Sequence, residues 1–414
     1  MFNCLIRDHN AEVFNPPISE NPNTADDIIN IAFGGFRRWD AVYFLHIAEH
    51  GYTYENTLAF FPLFPLTVRF IANSTLYPLQ FCMSYTSVLL ISAVIINTVC
   101  FVLSAMTLYE LGHIVLGSDA LAFRAAQFYC INPASVFFSA AYSESCYALL
   151  AFRGMLLLER NCWISSAVLF ALSGAARSNG LVNVGFLLHR AARDAVEWVL
   201  LYYQAKAKVT FFRFAETMCK LSLLLLLCVI PFAAFQYHAY MIYCNRLDSY
   251  QELPEHVQQY GMKLRYRMPY MGPSEWCSNW LPVSYSYIQS SHWNVGFLNY
   301  YEMKQIPNFM LATPMAVLGI WMIASYLFSH PAYCLYAGLM PQNTVTVGEH
   351  HCLPTTCFVY VVHTAFLLMF GFFCMHVQVL EALYSHSCRC LSLSLSLSSP
   401  VMNNFIHLDG SKQK

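Results

Sequence analysis

The sequence predicts an all-α, polytopic membrane protein, and three observations carry that prediction. Hydrophobic residues make up 57% of the 414-residue chain and charged residues 11%, where soluble domains carry roughly 25% charged residues. Apolar runs long enough to cross a bilayer recur along the chain. The polar residues between them gather in a few short motifs instead of covering a surface. Length would permit two or three soluble domains, but this composition argues for one polytopic unit over 1–384. The net charge of −1 leaves no basic face for nucleic acid.

The opening MFNCLIRDHN has no apolar h-region of a signal peptide, so targeting falls to the first transmembrane helix. No C-terminal retrieval or lipidation signal is present. The first charged stretch runs from Arg37 to Pro65, RRWDAVYFLHIAEHGYTYENTLAFFPLFP. Acids beside a membrane are costly and mark substrate or ion sites, so this segment is expected to carry the chemistry. Tyr85 to Leu116 is long enough for one span. Leu121 to Leu158 is interrupted at Asn132-Pro133 and at Tyr142–Ser145, which predicts two shorter helices meeting at a polar break. Trp163 to Leu188 is interrupted in the same way by Arg177-Ser178-Asn179-Gly180. Further spans are expected at Leu221–Ile242, Phe309–Phe328 and Phe358–Val379, about eight spans or half-spans in all.

Orientation follows from Arg190, Arg193, Lys206, Lys208, Arg213 and Lys220, opposed only by Asp194, Glu197 and Glu216. The positive-inside rule makes this 189–220 loop cytosolic. The first segment (1–84), both polar breaks and the loop 245–307 then fall on the lumenal side. The sequon Asn73-Ser74-Thr75 lies there too, a glycosylation candidate at Asn73.

Four polar groups therefore converge on one side: Asp40 and its neighbours, Glu144, Arg177 with Asn179, and the stretch from His292 to Phe309. A partly desolvated carboxylate suits a general base, which makes Asp40 the candidate catalytic residue. An arginine fork suits a phosphate, which points to Arg177, with Arg38 or Lys304 in support. Trp39, Trp293, Asn294, Asn179 and Glu144 are candidates for positioning a substrate. Plainer roles compete: Glu144 as a cap on the next helix, Arg177 as a snorkelling side chain, the tryptophans as interfacial anchors.

A zinc-protease motif competes as well, since His46-Ile47-Ala48-Glu49-His50 matches H-x-x-E-H. Gly51 is expected to end that helix, and no third ligand follows. Most of the 16 cysteines lie singly in apolar runs and do not form a disulfide framework. His350, His351, Cys352 and Cys357, and likewise His386, Cys388 and Cys390, lack the paired spacing of a structural zinc site.

The Trp39–Pro65 stretch resembles the signature of the GPI mannosyltransferase 2 family, the second mannosyltransferases of GPI-anchor assembly. The likeness continues through NPASVFFSAAYSE (Asn132–Glu144), ARSNGLVNVGFL (Ala176–Leu187), PFAAFQYHAY (Pro231–Tyr240), YSYIQSSHWNVGFLNYYEMKQIPNF (Tyr285–Phe309) and VYVVHTAFLLMFGFFCMHVQVL (Val359–Leu380). The family pattern is aromatic-x-x-Ile-Ala-x-x-Gly-Tyr, which makes His46 incidental. The resemblance implies a GT-C-type glycosyltransferase of the endoplasmic reticulum membrane with its site on lumenal loops. It implies dolichyl-phosphate mannose as donor, a one-mannose GPI glycolipid as acceptor, an α1,6 product formed with inversion, and no cofactor or metal. No accessory membrane subunit is identified. Asp40 would take the proton from the acceptor's 6-hydroxyl, and Arg177 would hold the donor phosphate.

The ends depart from the family, which implies one membrane helix before the opening segment and another after Val379. The tail 385–414 contains alternating Leu-Ser from Leu391 to Ser398, the period of a strand and also the product of a translated CT repeat. Intron read-through, a gene-model error or an alternative isoform is expected there, outside the fold. A lipid transporter or scramblase is the non-enzyme alternative. It predicts a polar path across the bilayer and an inverted repeat, whereas the polar motifs here share one side.

Overall fold

A computed structural model describes residues 14–16, 23–131, 135–205, 209–245, 253–339 and 353–375. The tail 385–414, Val379, the Asn132-Pro133 pair, His350–Cys352 and the 386–390 cluster lie outside the described residues.

Among the described residues the structure is helical throughout, with no strand. In chain order the α-helices are α1 (Thr24–Phe33), α2 (Asp40–His50), α3 (Leu63–Asn73), α4 (Tyr85–Leu116), α5 (Asp119–Cys130), α6 (Val136–Ser139), α7 (Glu144–Glu159) and α8 (Trp163–Ala176). They continue with α9 (Val184–Ala205), α10 (Val209–Tyr243), α11 (Glu255–Leu264), α12 (Ser284–Trp293), α13 (Ile306–Ser329), α14 (Pro331–Leu335) and α15 (Phe358–Cys374). Among the described residues four stretches are long and apolar enough to cross a membrane: Tyr85–Leu116, Phe212–Tyr243, Met303–Ser329 and Thr355–Cys374. Of the three predicted interruptions, the two that fall among the described residues are present, between α6 and α7 (140–143) and between α8 and α9. The expected 189–220 loop is instead helical on either side of 206–208, because α9 and α10 extend beyond the apolar runs that the sequence marks as spans.

The bundle is held by packing of α4 on α7, α7 on α8, and α8 on α10, with α15 against α9 and α13. Small residues allow these approaches. A Cβ at Gly154 of α7 would come within 2.6 Å of the Phe170 ring on α8. Gly180 is more constrained still: a Cβ there would lie 2.2 Å from the Gly174 backbone nitrogen, so the 178–183 turn folds back on α8 only with glycine. Helix ends follow local chemistry. Ser84 caps α4 through Ser87 N at 3.3 Å, and Gly117 closes it at φ +63°.

The chain between α6 and α7 leaves backbone carbonyls without helical partners beside the apolar α4, where each must be satisfied. Asn97, fully buried on α4, supplies them. Its Nδ2 donates to the carbonyl oxygens of Ala140 and, at 2.9 Å, Tyr142. Asn97→Leu is therefore expected to cost about 1–3 kcal/mol for each stranded carbonyl and to loosen the start of α7. A lower unfolding temperature of the purified protein, with reduced activity at matched expression, checks this.

The opening segment is fastened at two places. Asp26 of α1 accepts from Ser84 N at 2.9 Å and Ser84 Oγ at 2.7 Å, tying α1 to the head of α4. Glu55 is buried and accepts from Trp276 Nε1 at 2.8 Å and from Ser274 Oγ, joining this segment to the 253–307 region. A disulfide between Cys244 and Cys277 locks that region to the end of α10. The sequence reading did not anticipate this bond. Glu55 is thus engaged in holding the two segments together.

Candidate active site

A cavity of about 310 Å³ lies where the opening segment, the two interruptions and α12 meet. Its floor and walls come from distant parts of the chain. Asp40 enters from the first turn of α2, Ser143 from the residue before α7, and Arg177, Ser178 and Asn179 from the turn after α8. Phe44, Phe60 and Phe61 supply an apolar side.

Asp40 is placed by an unusual backbone. Trp39, which precedes it, sits at φ +56° and ψ −124°, a conformation that L side chains rarely adopt. Such strain persists only where surrounding structure enforces it, and it clusters at functional sites. Here the enforcement is visible: Ala141 N donates to Phe36 O at 3.1 Å, and the Tyr142 hydroxyl donates to Arg38 O at 3.1 Å. The α6–α7 interruption therefore sets the approach to Asp40 as well as the start of α7. The Asp40 side chain opens into the cavity, yet enclosing protein raises its carboxyl to about 6, the Glu144 carboxylate adding to the rise and Arg177 opposing it. That is a value suited to a base working near neutral pH.

Glu144 is the first residue of α7 and is buried. It pairs with the Arg177 guanidinium through Oε1, and Arg177 Nη1 also donates to Ser143 Oγ at 3.2 Å. Glu144 thus opens α7, as the plain reading of a helix-start acid has it, and its charge is used on Arg177 behind the cavity and not as part of the lining. Arg177 is held from behind by Glu144 while lining the cavity, which leaves it placed for an anion there.

The remaining wall is α12. Tyr285, Gln289 and Trp293 recur every fourth residue and line the cavity on one helix face. Tyr285 and Ser178 hydroxyls are 2.7 Å apart, bridging α12 to the turn after α8. Gln236 of α10 anchors the head of α12, its Oε1 accepting from Ser284 Oγ at 2.9 Å and Tyr285 N at 3.2 Å.

Of the residues singled out from sequence, Asp40, Arg177, Asn179 and Trp293 line the cavity, and Glu144 stands directly behind it. The others are placed elsewhere. The Trp39 side chain is 65% exposed and is not among the lining residues. Arg38 is exposed and is not among the lining residues; its carbonyl oxygen accepts from the Tyr142 hydroxyl. Asn294 is the left-handed cap of α12, with Asn299 Nδ2 at 3.5 Å from its Oδ1. Lys304 pairs with Glu302 ahead of α13. Asn73 is exposed at the end of α3, a position open to glycosylation. Sequence reasoning missed Ser143, Ser178, Tyr285 and Gln289; the four-residue spacing from Tyr285 to Trp293 was the available signal.

The H-x-x-E-H residues are used differently. Gly51 ends α2 at φ +78°, as expected. His46 is buried, its Nε2 2.6 Å from Thr53 Oγ1 and its ring stacked on Tyr54 at 5.2 Å. His50 Nε2 lies 3.6 Å from Glu49 Oε1. Among the described residues no group of three or more His, Cys, Asp or Glu is arranged to hold a metal ion.

Comparison with known proteins gives a consistent result. The family profile described as Mannosyltransferase (PIG-V) matches residues 1–398. A protein named GPI alpha-1,6-mannosyltransferase 2 from Cricetulus griseus is 44% identical over 391 residues, 94% of this chain and 78% of that one. The Homo sapiens protein of the same name is 42% identical over 383 residues, 92% of this chain and 76% of that one. GPI mannosyltransferase 2 of Drosophila melanogaster is 33% identical over 385 residues, 91% of this chain and 82% of that one.

Proposed function

Because this chain belongs to the PIG-V mannosyltransferase family and is a polytopic membrane glycosyltransferase, we propose a specific reaction for its cavity. It transfers the second mannose, in α1,6 linkage, from dolichyl-phosphate mannose to a one-mannose GPI precursor at the lumenal face of the endoplasmic reticulum membrane. The observation that carries this reading is the placement of Asp40 and Arg177 on one small cavity.

In the proposed step Asp40 removes the proton from the acceptor's 6-hydroxyl. That oxygen attacks the anomeric carbon of the donor from the face opposite the phosphate, and the bond from the anomeric carbon to the phosphate oxygen breaks. The β-mannosyl phosphate thus gives an α product with inversion, and dolichyl phosphate leaves carrying the electron pair. Arg177 balances the charge that develops on it. One carboxylate suffices, and neither a nucleotide sugar nor a metal ion is invoked.

The lumenal assignment is supported by the Cys244–Cys277 disulfide, since such bonds persist in oxidising compartments. The exposed sequon at Asn73 and the basic residues from Arg190 to Lys220 agree with it.

A base must be ionised to act. With its carboxyl raised to about 6, Asp40 is deprotonated above that pH and progressively protonated below it. Transfer is therefore expected to be level above about pH 7 and to fall about tenfold per unit well below pH 6; an initial-rate profile at saturating substrates checks this. The function itself is tested by expressing the chain in cells that lack their second GPI mannosyltransferase. Return of GPI-anchored proteins to the surface is expected; a chain that reaches the membrane without restoring them would contradict the proposal.

A further inference from the structure

The cavity has two chemically different walls. Among the described lining residues only Asp40 and Arg177 carry charge, and Arg177 belongs to the turn after α8. The adjoining wall, α12, joined to that turn where Tyr285 meets Ser178, offers Tyr285, Gln289 and Trp293, all neutral. A phosphate belongs against the guanidinium fork. A neutral wall that combines an amide, a hydroxyl and an indole suits a sugar. An amide donates from one end and accepts at the other, as adjacent sugar hydroxyls require, and an aromatic ring offers flat apolar area to the C–H face.

We propose that the Tyr285–Gln289–Trp293 face of α12 is the acceptor-sugar subsite, with Gln289 the residue that sets affinity for the acceptor glycan. The proposal rests on the mannosyl-transfer reading above and adds a division of the cavity between donor and acceptor.

Three features make this face a built one. Tyr285 is hydrogen-bonded to Ser178 at 2.7 Å and to Gln289, so a continuous polar line runs along the wall. Gln236 fixes the head of α12 from within a membrane span. The Trp293 ring is packed edge-on to Phe60, centroids 6.0 Å apart, and Phe60 itself stacks on Tyr43 at 4.4 Å. Tyr43 stands one turn along α2 from Asp40, so the same packing sets the wall relative to the base. A sugar ring held against α12 would have its hydroxyls directed across the cavity towards Asp40.

The test separates the two substrates. With the full-length protein in proteoliposomes, the one-mannose GPI lipid and dolichyl-phosphate mannose are titrated in turn. Gln289→Leu is expected to raise the acceptor KM about tenfold, the loss of roughly one good hydrogen bond, while the donor KM stays within twofold. Tyr285→Phe should move the acceptor KM in the same direction by less. A rise in donor KM, or a fall in kcat with both KM values unchanged, would overturn the assignment.

A second measurement needs neither turnover nor the wild-type side chain. Maleimide labelling of Gln289→Cys, read at that peptide by mass spectrometry, should be slowed by the one-mannose GPI lipid and not by dolichyl phosphate. Protection by dolichyl phosphate alone, or by neither lipid, would sink the subsite. Protection by the acceptor in a chain that transfers no mannose would leave the subsite standing and remove the reaction.

Discussion

Asp40→Asn is expected to lower mannose transfer by roughly 10²–10⁴-fold, the range contributed by a positioned general base, with normal accumulation in the membrane. The substitution keeps size and shape. Asparagine is also well tolerated at the start of a helix, where Asp40 opens α2. The strained Trp39 backbone is held by hydrogen bonds from Ala141 and Tyr142 that do not involve the Asp40 side chain, so the local structure should survive. A purely structural role would predict lost protein with intact specific activity. The residual activity of Asp40→Asn should also lose the fall below pH 6, because the group that titrates there is gone. Specific activity per mole of membrane-inserted protein, measured across pH, distinguishes the two.

The second large effect comes from the Glu144–Arg177 pair. Glu144 is 4% exposed, and its Oε2 already lacks a hydrogen-bond partner, so the ion pair to Arg177 is its principal compensation. Arg177→Met leaves that carboxylate buried and unpaired, a change that typically costs about 3–5 kcal/mol. Poor accumulation and loss of transfer are both expected. Combining it with Glu144→Gln removes the stranded charge, so accumulation should recover to near the wild-type level. Transfer should not recover, because the phosphate still lacks its guanidinium. Recovery of transfer along with stability would show that Arg177 serves only to neutralise Glu144. Quantitative immunoblots of membranes beside donor titrations report both quantities.

These two effects meet at a feature readable in the sequence. The polar residues Tyr142–Ser145 and Arg177–Gly180 interrupt apolar runs, and a bilayer tolerates an interruption only where protein re-satisfies the backbone. Hydropathy therefore located both ends of the Glu144–Arg177 pair before any geometry was known. Gly51 as a helix stop was equally local, because its φ of +78° needs no distant partner.

What sequence reasoning missed depends on distant contacts. Asn97 is one polar residue within the long apolar run Tyr85–Leu116, and its partners are the carbonyls of Ala140 and Tyr142, which any residue would possess. The pairing of Cys244 with Cys277 depends on a fold that returns the chain to the end of α10. Tyr285 and Gln289 escaped notice although Trp293 on the same face did not, because that face of α12 mixes aromatic and polar residues at the cavity and apolar periodicity does not mark it. Residues adjacent in sequence to true lining groups were correspondingly over-counted. Asn294 follows Trp293 but turns into a left-handed cap, and Trp39 precedes Asp40 but remains 65% exposed.

The central claim is that this chain uses Asp40 and Arg177 to move mannose from a lipid phosphate to a GPI glycolipid. Its most direct test supplies microsomes containing the chain, and otherwise lacking the activity, with labelled dolichyl-phosphate mannose and a one-mannose GPI lipid. The account predicts a labelled two-mannose product, sensitive to α1,6-specific mannosidase and absent with Asp40→Asn. An unlabelled acceptor in the presence of correctly inserted protein, or equal product from Asp40→Asn, would contradict it.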